Sequence, residues 1–461
     1  MKRMTILIIA LVMILCTACN PLEEDAQLKI EDDVYDIYEM LRSEWKHAAD
    51  EDAICDVLTR WAQDNEISAS KLDYNNVAMS VDATDDYTKA PQTIIQCTIG
   101  MTHKKANAQC AAIAMAALKN TKEHGKIKVY FTTNPDRLTS KQIKTDNLIS
   151  LEYCEETKLY TGSAESRKFT FSQPAKKVKT TGTVSYRVTI TGMEGGPSSD
   201  TTRRHGNPLK GLGDLIKSCQ SQSLAFQIAA FDGGTSAGTF PKSASMVITV
   251  DKNDEKKLLD RISAAEENFL EDYHDKDNQL EFISEKCKTP ARSYSDETTS
   301  NIISFLYTID EGVFAAREDE ENDEDTDDDE IRTIANIGRI TSNGNITIEI
   351  MARSIQPSSF SVMYDSYKNT ADLSEFAVAE ESNYPFWPFK ESSDLTERYA
   401  VATRQVDLDM EPEWTFDETD CAAFYNKRQD MDMICIGANI QDGYDISTSL
   451  VLFLQSLNGE Q

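Results

Sequence analysis

Few residues of this chain could bind a transition metal or transfer protons at neutral pH, and they do not cluster in the sequence. The 461 residues include only five histidines, and these are widely separated. Of the ten cysteines, Cys16 and Cys19 lie near the amino terminus, and the other eight are scattered without a Cys-x-x-Cys pair. Their spacing excludes a zinc finger. We expect most of the eight to be buried, because a free cysteine behaves as a small hydrophobe.

A second group of side chains that could bind a cation is the acidic run at residues 318–330. It carries eleven carboxylates and no basic side chain. Such a block repels itself, which predicts a solvated loop. Calcium binding is the alternative, since hard cations take carboxylate oxygens, but the run lacks the glycine turn and the ligand spacing of an EF-hand.

The most regular element is the segment 184–198, which reads V-S-Y-R-V-T-I-T-G-M-E-G-G-P-S. The alternation of apolar residues from Val184 to Ile190 predicts a strand, and Gly195 and Gly196 allow a tight turn after it. Pro197 follows that turn. Its ring cannot transfer a proton, bind a metal or stabilise an oxyanion.

The elements around this strand predict an α/β architecture in two parts. Strands are predicted at 93–99, 126–132 and 148–153, with an alanine-rich helix at 108–120 between the first two. After a predicted hinge at 173–182, further strands and helices form a ferredoxin-like unit, which includes a hairpin across Asn343 and Gly344. The pattern at 384–461 returns to α/β character, so the second part is predicted to be inserted into the first.

Composition and the amino terminus restrict the partners. The formal charge is −31, which excludes nucleic acid because phosphate binding requires a basic surface. Lys2 and Arg3 precede a short apolar run at 6–15, and Thr17-Ala18-Cys19 resembles a bacterial lipobox. We therefore predict a lipoprotein signal peptide over 1–18, a lipid on Cys19, an acidic tether over 19–30, and export to a bacterial membrane surface. An ordinary secretory signal is the alternative.

Five segments, in this order, resemble the aminoacyl-histidine dipeptidase (carnosinase-like) family of zinc peptidases. They are G-G-T-S-A-G-T-F-P-K at 233–242, I-A-N-I-G at 334–338, I-M-A-R-S-I at 350–355, Y-P-F-W-P at 384–388 and M-D-M-I-C-I-G at 431–437. The resemblance implies a zinc-peptidase-like catalytic domain, with a mixed sheet between helices, over 31–180 and 384–461. It also implies an inserted ferredoxin-like lid over 181–383, through which relatives dimerise.

The resemblance further implies two zinc ions and a general base, and it places them on seven positions of this chain. These are Thr98, Gly100, Ala106, Pro135, Asp136, Glu152 and Tyr444. Only Asp136 and Glu152 keep a carboxylate that could bind a cation. Pro197 stands where the family has a lid histidine. We therefore expect no catalytic residue and no cofactor, with zinc bound only if the site has been rebuilt.

Three other residues match family positions near the substrate: Arg353, Asn336 and Asp420. Arginine suits a substrate carboxylate, but all three could equally hold the strands of their own domain together. Our main hypothesis is an exported, lipid-anchored pseudo-peptidase that binds a peptide or a protein partner. The alternatives are an active metallo-dipeptidase with a mononuclear site built from Asp136, Glu152 and His103, and a structural surface lipoprotein.

Overall fold

The structure is a computed structural model that describes residues 22, 24–201, 205–275, 277–316 and 331–457. The predicted signal segment with Cys19 and the predicted acidic loop at 318–330 lie outside the described residues. In the part that is described, no helix has both the length and the apolar character needed to cross a membrane.

The helices and strands are numbered here in chain order. The helices are α1 (Glu24–His47), α2 (Glu51–Asp64), α3 (Lys104–Asn120), α4 (Pro208–Ser221), α5 (Glu255–Tyr273), α6 (Asp296–Thr308), α7 (Ser359–Leu373), α8 (Asp394–Arg404), α9 (Asp420–Lys427) and α10 (Gly443–Ser456). The strands up to the middle of the chain are β1 (Ser68–Leu72), β2 (Asn76–Val81), β3 (Thr93–Thr98), β4 (Ile127–Thr132), β5 (Asn147–Tyr153), β6 (Lys158–Ser163), β7 (Glu165–Pro174), β8 (Lys177–Lys179), β9 (Val184–Thr191), β10 (Gly196–Pro197) and β11 (Phe226–Gly233). The later strands are β12 (Thr239–Phe240), β13 (Ala244–Val250), β14 (Glu281–Cys287), β15 (Arg292–Tyr294), β16 (Gly312–Ala316), β17 (Ile331–Thr341), β18 (Asn345–Ser354), β19 (Ala377–Tyr384), β20 (Pro412–Thr415) and β21 (Asp432–Ala438).

The chain divides into a first unit, formed by the residues up to Ser163 and from Phe386 onward, and a second unit, Ala164–Pro385. The first unit contains an eight-stranded mixed sheet in the order β1-β2-β4-β3-β5-β21-β6-β20. Strands β4, β3, β5 and β21 run parallel at its centre. Helix α3 is buried along its whole run from Ala108 to Leu118 and contacts α1 and α10, because its alanines allow close approach.

The second unit contains a nine-stranded antiparallel sheet that consists of two ferredoxin-like halves. Its main order is β14-β9-β13-β11-β17-β18-β7-β19, and β16 pairs with β17 beside it. In one half the chain runs β9-α4-β11-β13-α5-β14, and in the other it runs β7, then α6-β17-β18-α7-β19. The first half is therefore inserted between two elements of the second half. The predicted fold class, a mixed sheet between helices with an inserted α+β domain, is confirmed.

The structure corrects the predicted hinge and the boundary at residue 180. The second unit begins at Ala164, because β7 pairs along its whole length with β18 and also pairs with β19. Residues 173–182, predicted as a hinge, contain the end of β7 and the short strand β8, which pairs with β15.

The predicted acidic tether over 19–30 is also wrong from Glu24 onward. Residues from Glu24 are helical, and Ile30 and Val34 on this helix are buried in the core of the first unit. Helix α1 combines a charged outer face with an apolar stripe, and the stripe is what packs against α3.

The expectation for the cysteines is confirmed. The eight cysteines of the described residues form no disulfide, and six of them are buried.

Candidate functional site

The parallel strands of the first unit bring polar side chains to one edge of its sheet. Thr98 is the last residue of β3, Thr132 the last of β4, and Glu152 lies one residue before the end of β5. Because the carboxyl ends of parallel strands meet at the same edge, these residues lie close together, and Asp420 joins them from the first turn of α9. In open α/β sheets this edge is where ligands bind.

Two carboxyl groups are connected at this edge by hydrogen bonds. The Oδ2 atom of Asp420 accepts hydrogen bonds from the Thr98 hydroxyl and from Gln96 Nε2, the latter at 2.7 Å. The backbone N–H of Asp420 donates to Glu152 Oε1 at 2.8 Å. Glu152 and Asp420 are therefore linked through the first residue of α9.

Gln96 lies at the centre of these hydrogen bonds and is fully buried inside the sheet. Its Nε2 atom also donates to Thr132 Oγ1 at 3.0 Å. The Ser150 hydroxyl lies 2.7 Å from Gln96 Oε1 and 3.0 Å from Glu152 Oε1, so one proton serves two acceptors. We call the six residues of this group the carboxyl-end network: Gln96, Thr98, Thr132, Ser150, Glu152 and Asp420.

Burial controls the protonation of the two acids in the network. Desolvation, together with the nearby charge of Asp420, raises the pKa of Glu152 to about 8. Burial also raises the pKa of Asp420, although the hydrogen bonds from Thr98 and Gln96 act in the opposite direction. Burial thus favours the neutral acid form of Glu152.

The predicted remnant ligand Asp136 faces a cation of the chain itself. It lies exposed in a turn after β4, and its Oδ1 atom is 3.8 Å from the Nζ atom of Lys427. The Lys427 ammonium also donates to the carbonyl oxygens of Pro135 and Leu138, at 3.1 and 2.9 Å. Pro135, at the general-base position implied by the resemblance, offers only this backbone oxygen.

The remaining predicted positions in the first unit contribute no metal ligand. Gly100 is buried, with no atom within 4 Å of the place where a Cβ would stand. Ala106 lies in the first turn of α3, and Tyr444, in the first turn of α10, packs against the apolar core. His103 is exposed immediately before α3.

These side chains do not fit the dinuclear zinc centre that the resemblance implies. Such a centre needs several imidazole and carboxylate ligands that converge on each ion. Throughout the described ranges, no three His, Cys, Asp or Glu side chains are placed so that they could hold a metal ion. We therefore derive no catalytic step through a metal.

In the second unit, the predicted ligand-binding residues Arg353 and Asn336 form hydrogen bonds to neighbouring groups of the same unit. Arg353, 6% exposed, donates from Nη1 to Ser198 Oγ at 2.6 Å. Asn336 donates from Nδ2 to the Thr239 carbonyl at 3.1 Å. Pro197 is exposed in β10 and pairs with Thr239 of β12.

Sequence reasoning missed a cavity of about 930 Å³ inside the second unit. We call it the seam cavity. Its walls come from α4, α5, the segment before α4 and the pair β16 and β17, and Asn336 is one of its lining residues. Glu311 lies at the cavity wall and directly precedes β16. It lies only a few residues before the acidic run, so the sequence pattern did not distinguish it from that run.

Comparisons with known proteins support the resemblance at the level of fold and kinship. No family model matches the chain. The cytosolic non-specific dipeptidase of Escherichia coli (strain K12) is 22% identical over 349 residues, which cover 72% of this chain and 68% of that protein. Aminoacylhistidine dipeptidase from Vibrio alginolyticus matches with a TM-score of 0.70 at 18% identity, over 91% of this chain and 96% of that one. This chain has the dipeptidase fold.

A more distant structural match is aminopeptidase PepT from Bacillus cereus. Its TM-score is 0.51 at 11% identity, with 95% of this chain and 99% of that chain covered. The sequence match to a dipeptidase supports descent from the dipeptidase family. The lipid anchor, the degenerate site and a homodimer through the second unit stay predictions.

Proposed function

We propose that this chain is a dipeptidase-fold protein that binds a peptide or a protein partner without metal-dependent hydrolysis. The observation that carries the proposal is the hydrogen bonding of Asp420. Thr98, at the position of a metal-binding histidine in the family, donates a hydrogen bond from its hydroxyl group to this carboxylate, and Gln96 donates a second hydrogen bond. Protein donors thus occupy the Oδ2 atom of a carboxylate at the edge where the family binds its metal.

Two further features support the same proposal. Burial and the nearby charge of Asp420 raise the pKa of Glu152 to about 8, so a cation that binds this carboxyl group at neutral pH has to displace its proton. The ammonium of Lys427 stands 3.8 Å from the exposed Asp136 carboxylate, and its positive charge disfavours a second cation there. Pro135 stands at the family's general-base position, and its side chain cannot activate a water molecule.

The residues of the carboxyl-end network therefore have a positioning role in this proposal. Thr98 and Gln96 fix the start of α9 through Asp420, while the Asp420 N–H fixes the Glu152 carboxyl. A rigid, metal-free edge of this kind can present α9 and the neighbouring turns to a peptide. The kinship with a dipeptidase supports a peptide as the ligand class.

Zinc content and turnover test this proposal directly. The mature chain is exposed to zinc, purified and dialysed. It should then contain far less than one zinc ion per molecule. It should not hydrolyse a panel of dipeptides with or without added Zn²⁺, Mn²⁺ or Co²⁺. Atomic emission and amino-acid release would be the two measurements. Stoichiometric zinc with turnover that disappears in Asp136→Ala would establish the rebuilt mononuclear site instead.

The lipid anchor is part of the proposal and rests on Thr17-Ala18-Cys19. In a bacterial host that processes lipoproteins, the protein should fractionate with membranes, and Cys19→Ala should move most of it to the soluble fraction. The reason is that acyl chains contribute about 0.8 kcal/mol per buried CH₂ to membrane binding. Cys16→Ala is the matched control and should stay with the membrane. A soluble wild-type protein with an unmodified amino terminus would establish an ordinary secretory signal.

A further inference from the structure

The seam cavity lies where the two ferredoxin-like halves of the second unit meet. Strands β11 and β17 pair there only at Gly233 and Ile340. The amino-terminal part of β17 pairs with β16 instead, so the sheet opens between the halves. The resulting cavity of about 930 Å³ is within the range of roughly 300–1,000 Å³ that is usual for small-molecule sites.

One wall of the seam cavity is aromatic and aliphatic. Phe269 and Tyr273 on α5 lie with ring centroids 5.0 Å apart, and Ile334 faces the same space from β17. Phe240 closes another side, with His205 stacked on it at a centroid distance of 3.9 Å. These surfaces can bury the apolar body of a ligand.

Glu311 places a carboxyl group on the opposite wall. Its Oε2 atom accepts hydrogen bonds from Asn207 Nδ2 at 3.1 Å and from the Ile337 N–H at 3.4 Å. Its Oε1 atom accepts no hydrogen bond from the residues that the structure describes. The wall is open beside it, since no atom lies within 4 Å of a Cβ built on Gly312. One oxygen is thus held in place and the other is available to a ligand.

The described charges around the cavity favour a cation. Asp214, Asp272 and Glu311 line it together with the ammonium of Lys210, and these four described side chains carry a formal charge of −2. The Lys210 ammonium donates to the Leu306 carbonyl at 2.7 Å, and Asp200 lies 2.9 Å from His205 Nε2. An anionic ligand would meet this excess of negative charge, whereas an ammonium group would offset it.

We propose that the seam cavity binds an organic cation, namely a primary amine on a short apolar body. The ammonium group donates a hydrogen bond to Glu311 Oε1, with Asp214 as the second nearby carboxylate. The apolar body packs against Phe269 and Tyr273. This site lies within the second unit and does not depend on whether the carboxyl-end network hydrolyses peptides.

Three probes of equal length test the charge preference on the full mature chain. They are 4-phenylbutylamine, 4-phenylbutan-1-ol and 4-phenylbutyrate, each titrated by calorimetry at pH 7. We expect the amine to bind at least about tenfold more tightly than the alcohol, because a hydrogen bond to an ionised partner is the stronger kind. The carboxylate probe should bind most weakly.

Glu311→Gln should reduce the affinity for the amine to that for the alcohol, while leaving the affinity for the alcohol unchanged. The substitution keeps the oxygen that accepts from Asn207, and a thermal melt checks that the variant folds. Glu267→Gln, on the same helix as Phe269 but outside the cavity lining, is the matched control and should bind the amine like the wild type.

Ala264→Leu provides a test that does not depend on charge. It adds a larger side chain at the cavity wall on α5, and it should weaken binding of the amine and of the alcohol alike. The proposal is overturned if no probe binds, if the amine and the alcohol bind equally, or if Glu311→Gln binds the amine like Glu267→Gln. A dipeptide-hydrolysis assay on the same samples reports separately on the proposed function.

Discussion

Replacing Gln96 with methionine should lower the free energy of unfolding by about 3–5 kcal/mol. The change keeps the volume of the buried side chain but removes its hydrogen bonds to Asp420, Thr132 and Ser150, which lie 2.7 to 3.0 Å away. Each buried polar group that loses its partner costs about 1–3 kcal/mol, and a charged partner costs more. Urea denaturation followed by circular dichroism at pH 7 measures the difference.

Gln92→Met is the matched control for this experiment. Its side-chain amide makes a single exposed hydrogen bond, to the Lys144 carbonyl at 3.1 Å, so we expect a loss of less than about 1 kcal/mol. A double-mutant cycle with Asp420→Asn isolates the contact between Gln96 and Asp420, for which we expect a coupling of about 1–3 kcal/mol. If Gln96→Met cost no more than Gln92→Met, the carboxyl-end network would not stabilise the fold as described.

The elements that sequence analysis predicted well are those whose apolar pattern is uninterrupted. Strands β3 and β4 and helix α3 are continuous runs that are buried almost throughout, while β9 shows the alternation of a strand with one buried face. Helix α1 was missed because charged residues dominate its composition, and only a narrow stripe with Ile30 and Val34 is apolar. The end of β7 was predicted as a hinge because Pro174 and the following lysines are typical of a linker.

The candidate site was only partly predictable for a different reason. The family resemblance placed Thr98, Glu152 and Asp420 near a functional edge, but it could not reveal that they bond to one another. Thr98 and Asp420 are separated by 322 positions, and no local pattern reports such a contact. The pairing of Asp136 with Lys427 across 291 positions is of the same kind, and it changes a supposed ligand into half of an ion pair.

Replacing Glu152 with glutamine should change how stability depends on pH. The pKa of Glu152 is raised from its ordinary value of 4.5 to about 8 in the folded protein. Its contribution to stability is therefore fully present below pH 4.5 and is lost as pH rises through 8, since the folded state binds the proton more tightly. Glutamine cannot lose a proton, so this loss should be absent in the variant.

Between pH 5 and pH 9 the stability of Glu152→Gln relative to wild type should rise by roughly 4 kcal/mol, given 1.36 kcal/mol per pKa unit over the three units from 5 to 8. Urea denaturation at a series of pH values measures it, in a buffer with a chelator. Glu155→Gln, at an exposed side chain just beyond β5, is the matched control.

The same titration distinguishes the proposed metal-free site from a rebuilt metal site. A dication beside Glu152 would favour the ionised carboxylate and lower its pKa, so stability would rise with pH instead of falling. Adding zinc should therefore leave the wild-type pH dependence unchanged if the site binds no metal. If zinc reversed its sign in the wild type and not in Glu152→Gln, this carboxylate would be a metal ligand, and the proposal of a metal-free binding protein would be wrong.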